Sequence, residues 1–555
     1  MEKLSNIFTK TNLRIIELLS KGKLHIREIA SHIGCSPAKV HEAVALFKEH
    51  GIIREIKDKN KSIIVLNLDS HLLKKIIEVM ESEGVQLTQK ESLNLFDSIS
   101  PLDFRYYGRN KQVFEKLQPY LSESAFIRYA AKVESALALV LAKRKICSVH
   151  DAEEIEKAAR LVSAEEVYAE EDKIKHNMRA LANSIRNKVG DRAKPFVHFT
   201  TTSYDIIASA DAARYKDFTN NVLLPELVNF ERTLIGIALR EKDTIQIGRT
   251  HGQHAEPITF GFAMANYVSR LGNRIISIKK TGNNLRGKIS GAVGSYNASS
   301  LFFPDAEDFE REVLSEIGLK PSPTSTQISE PEFLVDYLNS IVSCFGVIAD
   351  LADDMRHLQR SEIAEIGEFF DAKQVGSSTM PQKRNPINFE NVKSLWKEFM
   401  PRITTMYMDQ LSEHQRDLTN SASMRFIPEI LAGIYVSITR LNNVMSKISV
   451  DKSNMTANFS RNKGLIAAEP LYIMLAALGH PDAHEYVREM TIKSQKSGRD
   501  LIEMVMKDDS VNLYIKRMNK KQIEILKNPE KYTGIASIKT QKICDFWKKE
   551  FEKFL

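Results

Sequence analysis

Three short polar segments carry the residues that could do chemistry. QVGSSTMPQKRNPINFENV, Gln374 to Val392, crowds Ser377, Ser378, Lys383 and Asn385 between glycine and proline. GRTHGQHAEPITFG, Gly248 to Gly261, holds Thr250, His251 and His254. A third stretch runs from KHNMRA at Lys175 to SYDI at Ile206 and contains His176, His198 and a run of hydroxyls. A single histidine at a helix end is usually a cap or a satisfied core residue, but three such segments together point to one shared site. No HExxH or CxxC accompanies His251 and His254, so no metal site is expected. The phosphate loop GxxxxGK[ST] and the GxSxG elbow are both absent. What remains is an imidazole acid or base, hydroxyls, and Lys383 with Asn385 on a glycine-hinged loop. Imidazole titrates near neutral pH and suits proton transfer. Lys383 and Asn385 would grip a carboxylate and stabilise charge building on it. The set fits removal of a proton alpha to a carboxylate, followed by loss of a leaving group. A mobile loop over residues 374–387 would exclude water as it closes, so it reads as a lid that carries catalytic groups.

The elements that must position these groups are mostly helical. From residue 99 onward long helical patterns dominate, including 206–241, 256–281, 331–366 and 388–415, and strand-like runs are scarce. Helices of that length predict a bundle larger than one chain needs. With 555 residues the chain exceeds one compact core. We divide the main part into a helical domain at 99–205, a central long-helix domain at 206–450 and a C-terminal helical domain at 451–555. The net charge of +7 is too dilute to name a partner. Four scattered cysteines, without a CxxC pair, suggest a reducing compartment. No run of about 18 apolar residues and no signal-peptide core are seen, so the expected location is the cytoplasm.

The first 69 residues read as a separate unit. Two short helices end at Gly22 and Gly34, and a third begins with Ser36 as cap and Pro37 at its first position, ending at Gly51. Two β-rich runs then flank the charged turn Lys57 to Lys61. Three helices and a hairpin make the order of a winged helix-turn-helix. The segment holds 12 Lys/Arg against 8 Asp/Glu. If it binds DNA, Lys39, His41 and Lys48 on the third helix would face the major groove, and Lys57, Lys59 and Lys61 the phosphates. A protein-interaction role is the alternative. Residues 70–98 read as a linker helix.

GSSTMPQKRNP resembles the signature of the superfamily that contains fumarase, aspartase, argininosuccinate lyase and adenylosuccinate lyase, and the resemblance covers about 99–555. It implies a mainly all-α, three-domain subunit and a homotetramer around a long central helical bundle, with each active site shared by three subunits and no cofactor. Further matches are similar to the adenylosuccinate lyase family. SPLDFRY places Arg105 and Tyr106 on substrate-binding positions, KHN places His176, and VHFTTTSYD places His198, Thr202 and Ser203. STQ places Gln327, and EHQRDLTNSASMR aligns Arg416, Ser421 and Arg425 with nucleotide-holding residues. That last set suits a phosphate, because arginine binds it bidentately and serine adds a donor. By the resemblance, Ser377 takes the Cβ proton of the succinyl group and His251 protonates the departing nitrogen. Glu390 orients that histidine, and Lys383 and Asn385 hold the intermediate with Thr250 and Ser378 nearby. The implied activity releases fumarate from adenylosuccinate to give AMP and from SAICAR to give AICAR. Departures from the family pattern are Asn177, Thr200, Tyr204, Ala208 and Gln382. The alternatives are a sibling lyase of the argininosuccinate lyase or carboxymuconate cycloisomerase type, and a winged-helix regulator that senses purine nucleotide through a lyase fold.

Overall fold

The computed structural model describes residues 9–20, 22–58, 61–67, 70–82, 99–371 and 373–553. The chain divides into two units, Met1–Ile99 and Ser100–Leu555.

In the first unit three helices, α1 (Lys10–Ser20), α2 (Ile26–Ile33) and α3 (Pro37–Glu49), precede an antiparallel hairpin of β1 (Ile53–Asp58) and β2 (Lys61–Leu66). Gly34 closes α2 at φ 75°, a left-handed conformation that suits glycine, and the Ser36 side chain accepts from the Lys39 N–H to start α3. Leu24 bridges to Ile64, so the chain between α1 and α2 joins the hairpin edge. Ile15, Ile29, Val44, Phe47, Ile53 and Ile64 form the core. Helix α4 (His71–Ser82) adds Leu73, Ile76 and Met80 to that core, so over this length the segment read as a linker is packed. Lys39 and His41 are exposed on α3, whereas Lys48 pairs with Glu55 at 2.8 Å. Lys59 and the side chains of Lys57 and Lys61 lie outside the described residues.

The second unit is mainly helical. Five helices form a ring: α7 (Leu224–Arg240), α8 (Phe260–Asn283), α9 (Glu332–Leu358), α10 (Ile387–Phe399) and α11 (Ile427–Met445). Each packs on the next, and α11 returns to α7. Outside the ring, α5 (Glu123–Lys143) packs on α6 (Ser203–Phe218), which runs into α7 through a π-turn at Thr219–Leu223. Pro225 explains that turn, because it has no N–H to continue the ladder. The last helix, α12 (Ala536–Glu552), docks on α7 and α8, while residues 467–526 have an apolar cluster of their own. Close contact of α10 with α11 depends on Gly433, where an added Cβ would lie 2.4 Å from the Phe399 ring. By length and composition α9 could cross a bilayer, yet most of its apolar stretch is buried in the ring.

Three of the expected helices differ. Ile245–Thr250 (β3) and Gln253–Thr259 (β4) form an antiparallel hairpin, so the helix predicted from 256 begins only at Phe260. Ile245, Ile247 and Thr250 before a two-residue turn that contains Gly252, and Pro257 after it, favour a hairpin over helix there. Helix α9 stops at Leu358 rather than 366. The helix predicted over 388–415 breaks at Pro401 and resumes only as Arg402–Met408, since proline cannot donate into a helix interior.

One buried group is out of place energetically. Glu231 of α7 is fully buried, and both of its carboxylate oxygens lack a partner. Burial alone drives its pKa well above the usual carboxylate range. The folded chain thus holds this proton more tightly than the unfolded chain, and stability falls as pH rises above the unfolded carboxylate value. Glu231→Met should stabilise the protein by about 1–3 kcal/mol. The gain in thermal midpoint should be larger at pH 8 than at pH 5, and an equal gain at both would show that burial does not raise the Glu231 pKa above its unfolded value.

Candidate active site

The predicted site residues fall into three groups on the chain. The first surrounds the start of α6. His176 caps the helix Asn177–Arg186, its Nδ1 accepting from the Arg179 N–H at 3.2 Å. His198 and Thr200 both have φ 62°, a costly conformation for residues with a Cβ and most of all for β-branched threonine. The Glu134 carboxylate holds His198 in that shape, accepting from its backbone N–H at 2.9 Å and contacting ring Nδ1 at 2.6 Å. Burial opposes charge on this ring, but Glu134 outweighs it and keeps the imidazole above its ordinary pKa. Thr202 and Asp205 cap α6 reciprocally, with Ser203 as its first residue. Asp205 also pairs with Lys288, both side chains fully buried, and accepts from the Gly291 N–H.

The same region gathers residues from far along the chain. The Tyr204 hydroxyl donates to Asn420 Oδ1 at 3.4 Å, and the Gln327 N–H donates to the Gln415 carbonyl at 3.2 Å. Arg416 and Arg425 both act on Tyr204, pulling against the rise that burial imposes on its hydroxyl, while Ser421 is exposed between them in sequence. Arg416 takes the unusual φ of 128°, and its Nε and Nη2 are buried without a partner. Two unpartnered donors on one guanidinium are what an oxyanion would satisfy.

The second group is the signature loop. Ser377 Oγ accepts from the N–H groups of Thr379 at 3.3 Å and Met380 at 3.0 Å, both of which favour negative charge on that oxygen. The Asn385 amide ties the loop to the Gly376 carbonyl at 3.0 Å. Lys383 and Ser378 are exposed, and Glu390 is exposed in the first turn of α10. Beside the loop, Tyr106 accepts from Asn391 at 2.9 Å, and exposed Arg105 borders the same cleft.

The third group is the tip of the β3–β4 hairpin. His251 at φ 53° and Gly252 at φ 74° are its two turn residues, between paired Thr250 and Gln253. Left-handed φ at both positions is the geometry that matches strand twist, and it leaves Thr250 and His251 exposed. His254 contacts the Asn462 amide at 3.0 Å, and burial together with the Arg249 cation lowers its pKa.

Two buried carboxylates position the second and third groups. Glu365 accepts from Arg249, Gln246 and Asn458 at 2.5–3.2 Å and so anchors the hairpin. Three residues on, Glu368 accepts from the N–H groups of Asn388 and Phe389 at 3.0 Å and from the Asn388 amide at 2.7 Å, capping α10 where the loop ends. Sequence reading missed Glu134, Glu365 and Glu368. Glu134 did leave a signal, a single acid in the apolar run VESALALVLA. Among the described residues no hydrogen bond or ion pair joins His251 to Ser377, Lys383, Glu390 or Arg425 within the chain, and no group of three or more His, Cys, Asp or Glu could hold a metal ion.

The loop geometry has a direct test. A Cβ on Gly376 would lie 2.1 Å from the Lys383 carbonyl oxygen. Gly376→Ala should misplace Ser377 and Lys383, lowering turnover by about 10²-fold or more with the thermal midpoint nearly unchanged. Wild-type turnover would mean that this close approach does not set the site.

Comparison with known proteins identifies the family. The family model described as lyase matches residues 102–398, and that described as adenylosuccinate lyase C-terminal matches residues 412–533. Adenylosuccinate lyase of Archaeoglobus fulgidus is 33% identical over 450 residues, 80% of this chain and 98% of the relative. N-acetyl-S-(2-succino)cysteine lyase of Enterococcus italicus is 28% identical over 448 residues, 79% of this chain and 96% of the relative. The crystal structure of a fumarate lyase from Mesorhizobium sp. BNC1 superposes with a TM-score of 0.68 at 20% identity, covering 78% of this chain and 97% of that one, which supports the fold alone. Matched over more than half its length by a lyase family and over nearly the whole of a 33%-identical relative, the chain belongs to the adenylosuccinate lyase family.

Proposed function

We propose that the chain releases fumarate from adenylosuccinate to leave AMP, and from SAICAR to leave AICAR, as a C–N lyase. Arg416 carries this reading: two nitrogens of its guanidinium are buried without a partner, and a second cation, Arg425, acts with it on Tyr204. The Enterococcus relative is named for a succinylated thioether, which has no phosphate. A cation pair of this kind favours the nucleotide.

In the mechanism we infer, Ser377 removes the Cβ proton of the succinyl group. The Thr379 and Met380 N–H groups stabilise the charge that its oxygen must carry, because serine is a weak base at its ordinary pKa. Lys383 and Asn385 hold the resulting aci-carboxylate. His251, turned outward on the hairpin tip, gives a proton to the departing nitrogen, with Glu390 orienting it. As the resemblance implies, each site takes these groups from different copies of a homotetramer, and His251, which among the described residues makes no bond to Ser377, Lys383, Glu390 or Arg425 within the chain, fits that reading.

Two experiments separate the parts of this reading. Ser377→Ala and His251→Ala should each lose about 10²–10⁴-fold in turnover on adenylosuccinate. Near wild-type turnover by both would overturn the assignment, and faster turnover of N-acetyl-S-(2-succino)cysteine by the wild type would overturn the substrate. Mixing the two inactive variants and letting copies exchange should restore roughly a quarter of the sites, if serine and histidine come from different copies. No recovery would place both on one copy.

For the first unit we infer a winged helix that binds DNA, supported by exposed Lys39 and His41 on α3 and by the basic balance of residues 1–69. Lys48 contributes less, being tied to Glu55. Binding to duplex DNA should weaken steeply between 50 and 200 mM salt, on the order of 10-fold or more for a few phosphate contacts. Absence of any complex at low salt leaves the protein-interaction role in its place.

A further inference from the structure

The segment that carries Arg416, Ser421 and Arg425 is braced within itself. The Ser423 hydroxyl donates to the Asp409 carboxylate at 2.6 Å and lies 3.0 Å from the Asn420 carbonyl. That carbonyl also accepts from the Met424 N–H at 3.1 Å, and Arg416 Nη1 donates to the Asp409 carbonyl at 3.4 Å. A displacement of Asn420 is therefore passed to both arginines. The segment is tied to the start of α9 by the Gln410 amide on Glu332, and to Gln327 through the Gln415 carbonyl. Among the described residues, the Tyr204 hydroxyl on Asn420 Oδ1 is the one hydrogen bond that joins it to α6.

Tyr204 makes this bond beside a gap. A cavity of about 70 Å³ is lined by Tyr204, Ala208 and Asp211 of α6 and by Asp409, Asn420 and Met424 of the segment. Ala208, one turn on from Tyr204, has only a methyl group and cannot bridge it. Tyr204 and Ala208 are both departures from the family pattern, and together they fit one role, in which the long phenol spans what a short side chain leaves open. Burial raises the Tyr204 pKa, so its hydroxyl keeps the proton that it donates. Asn420 is itself buried, so its amide oxygen needs that donor.

We propose that Tyr204 is a positioning residue for the substrate: through Asn420 it fixes Arg416, Ser421 and Arg425 relative to Thr202 and Ser203 at the start of α6. The inference rests on the reading of Arg416 as a substrate-binding cation. Thr202 caps α6 and Ser203 is its first residue, so Tyr204 follows them directly. One side chain thus sets the span between two groups of substrate contacts. A substrate that must reach both is held well only when that span matches it.

The test is steady-state kinetics on adenylosuccinate for wild type, Tyr204→Phe, Arg416→Met and the double variant. Tyr204→Phe keeps the ring and loses the hydroxyl, so KM should rise about 3–10-fold, the effect of one neutral hydrogen bond. Its kcat should stay within about twofold of wild type, because the contact acts on binding, and its thermal midpoint should be unchanged. With Arg416→Met already in place, Tyr204→Phe should raise KM by less than about twofold, because the main group that it positions is gone. Asn420→Ala should reproduce the KM rise of Tyr204→Phe. Wild-type KM in Tyr204→Phe, or losses that multiply in full in the double variant, would overturn the proposal. So would a joint fall in kcat and thermal midpoint, the mark of a structural role alone. Should Asn420→Ala fail to fold, the four-protein comparison at Tyr204 and Arg416 decides by itself. Wild-type inactivity on adenylosuccinate, or an Arg416→Met KM equal to wild type, would overturn the functional reading and the proposal with it.

Discussion

The candidate site depends on two buried carboxylates three residues apart. Glu365 holds the hairpin that carries His251, and Glu368 caps the helix that ends the signature loop. Between them, Ile366–Gly367 pairs antiparallel with Ser449–Val450. A polar, proline-broken loop and a two-stranded hairpin are both too small to be stable in isolation. Each gains its position from charge-assisted hydrogen bonds to an oxygen that water cannot reach, where such bonds are strongest. Removing either carboxylate would leave buried donors unpaired as well as releasing the element it holds.

Around that frame several unfavourable conformations and unpaired buried atoms fall in the candidate site groups. Of the non-glycine residues at positive φ, His198, Thr200, His251 and Arg416 lie in the site groups. Buried atoms without partners include Thr200 Oγ1, Thr201 Oγ1 and two nitrogens of Arg416. Strain and missing partners of this kind persist only where the surroundings over-determine them, here through Glu134 on His198 and the Asp205–Lys288 pair beneath α6. The bundle core supplies the rigidity: five helices closed into a ring, with a sixth docked on their outer side.

Much of this was legible from sequence because its causes are local. Ser36 as a cap, Gly34 as a left-handed stop, and the helical pattern of α7, α8 and α9 each follow from residues within a turn or two of one another. The polar segments announced themselves by composition, since hydroxyls, histidine and lysine between glycine and proline suit neither core nor regular surface. The signature motif then supplied the family. Where sequence reading went astray, the local signal was ambiguous: β3 and β4 sit in a stretch of mixed propensity, and Pro401 interrupts a pattern otherwise helical throughout.

Sequence alone thus singled out the candidate residues for the chemistry, and it determined that the frame is helical and where several helices begin and end. Tertiary structure decided how those residues are held. Glu134 meets His198 across 64 positions, Gln246 meets Glu365 across 119, and Arg440 meets Asn388 across 52. No periodicity records such pairs, because a buried carboxylate is selected by the donor that folding brings to it and not by its neighbours in the chain.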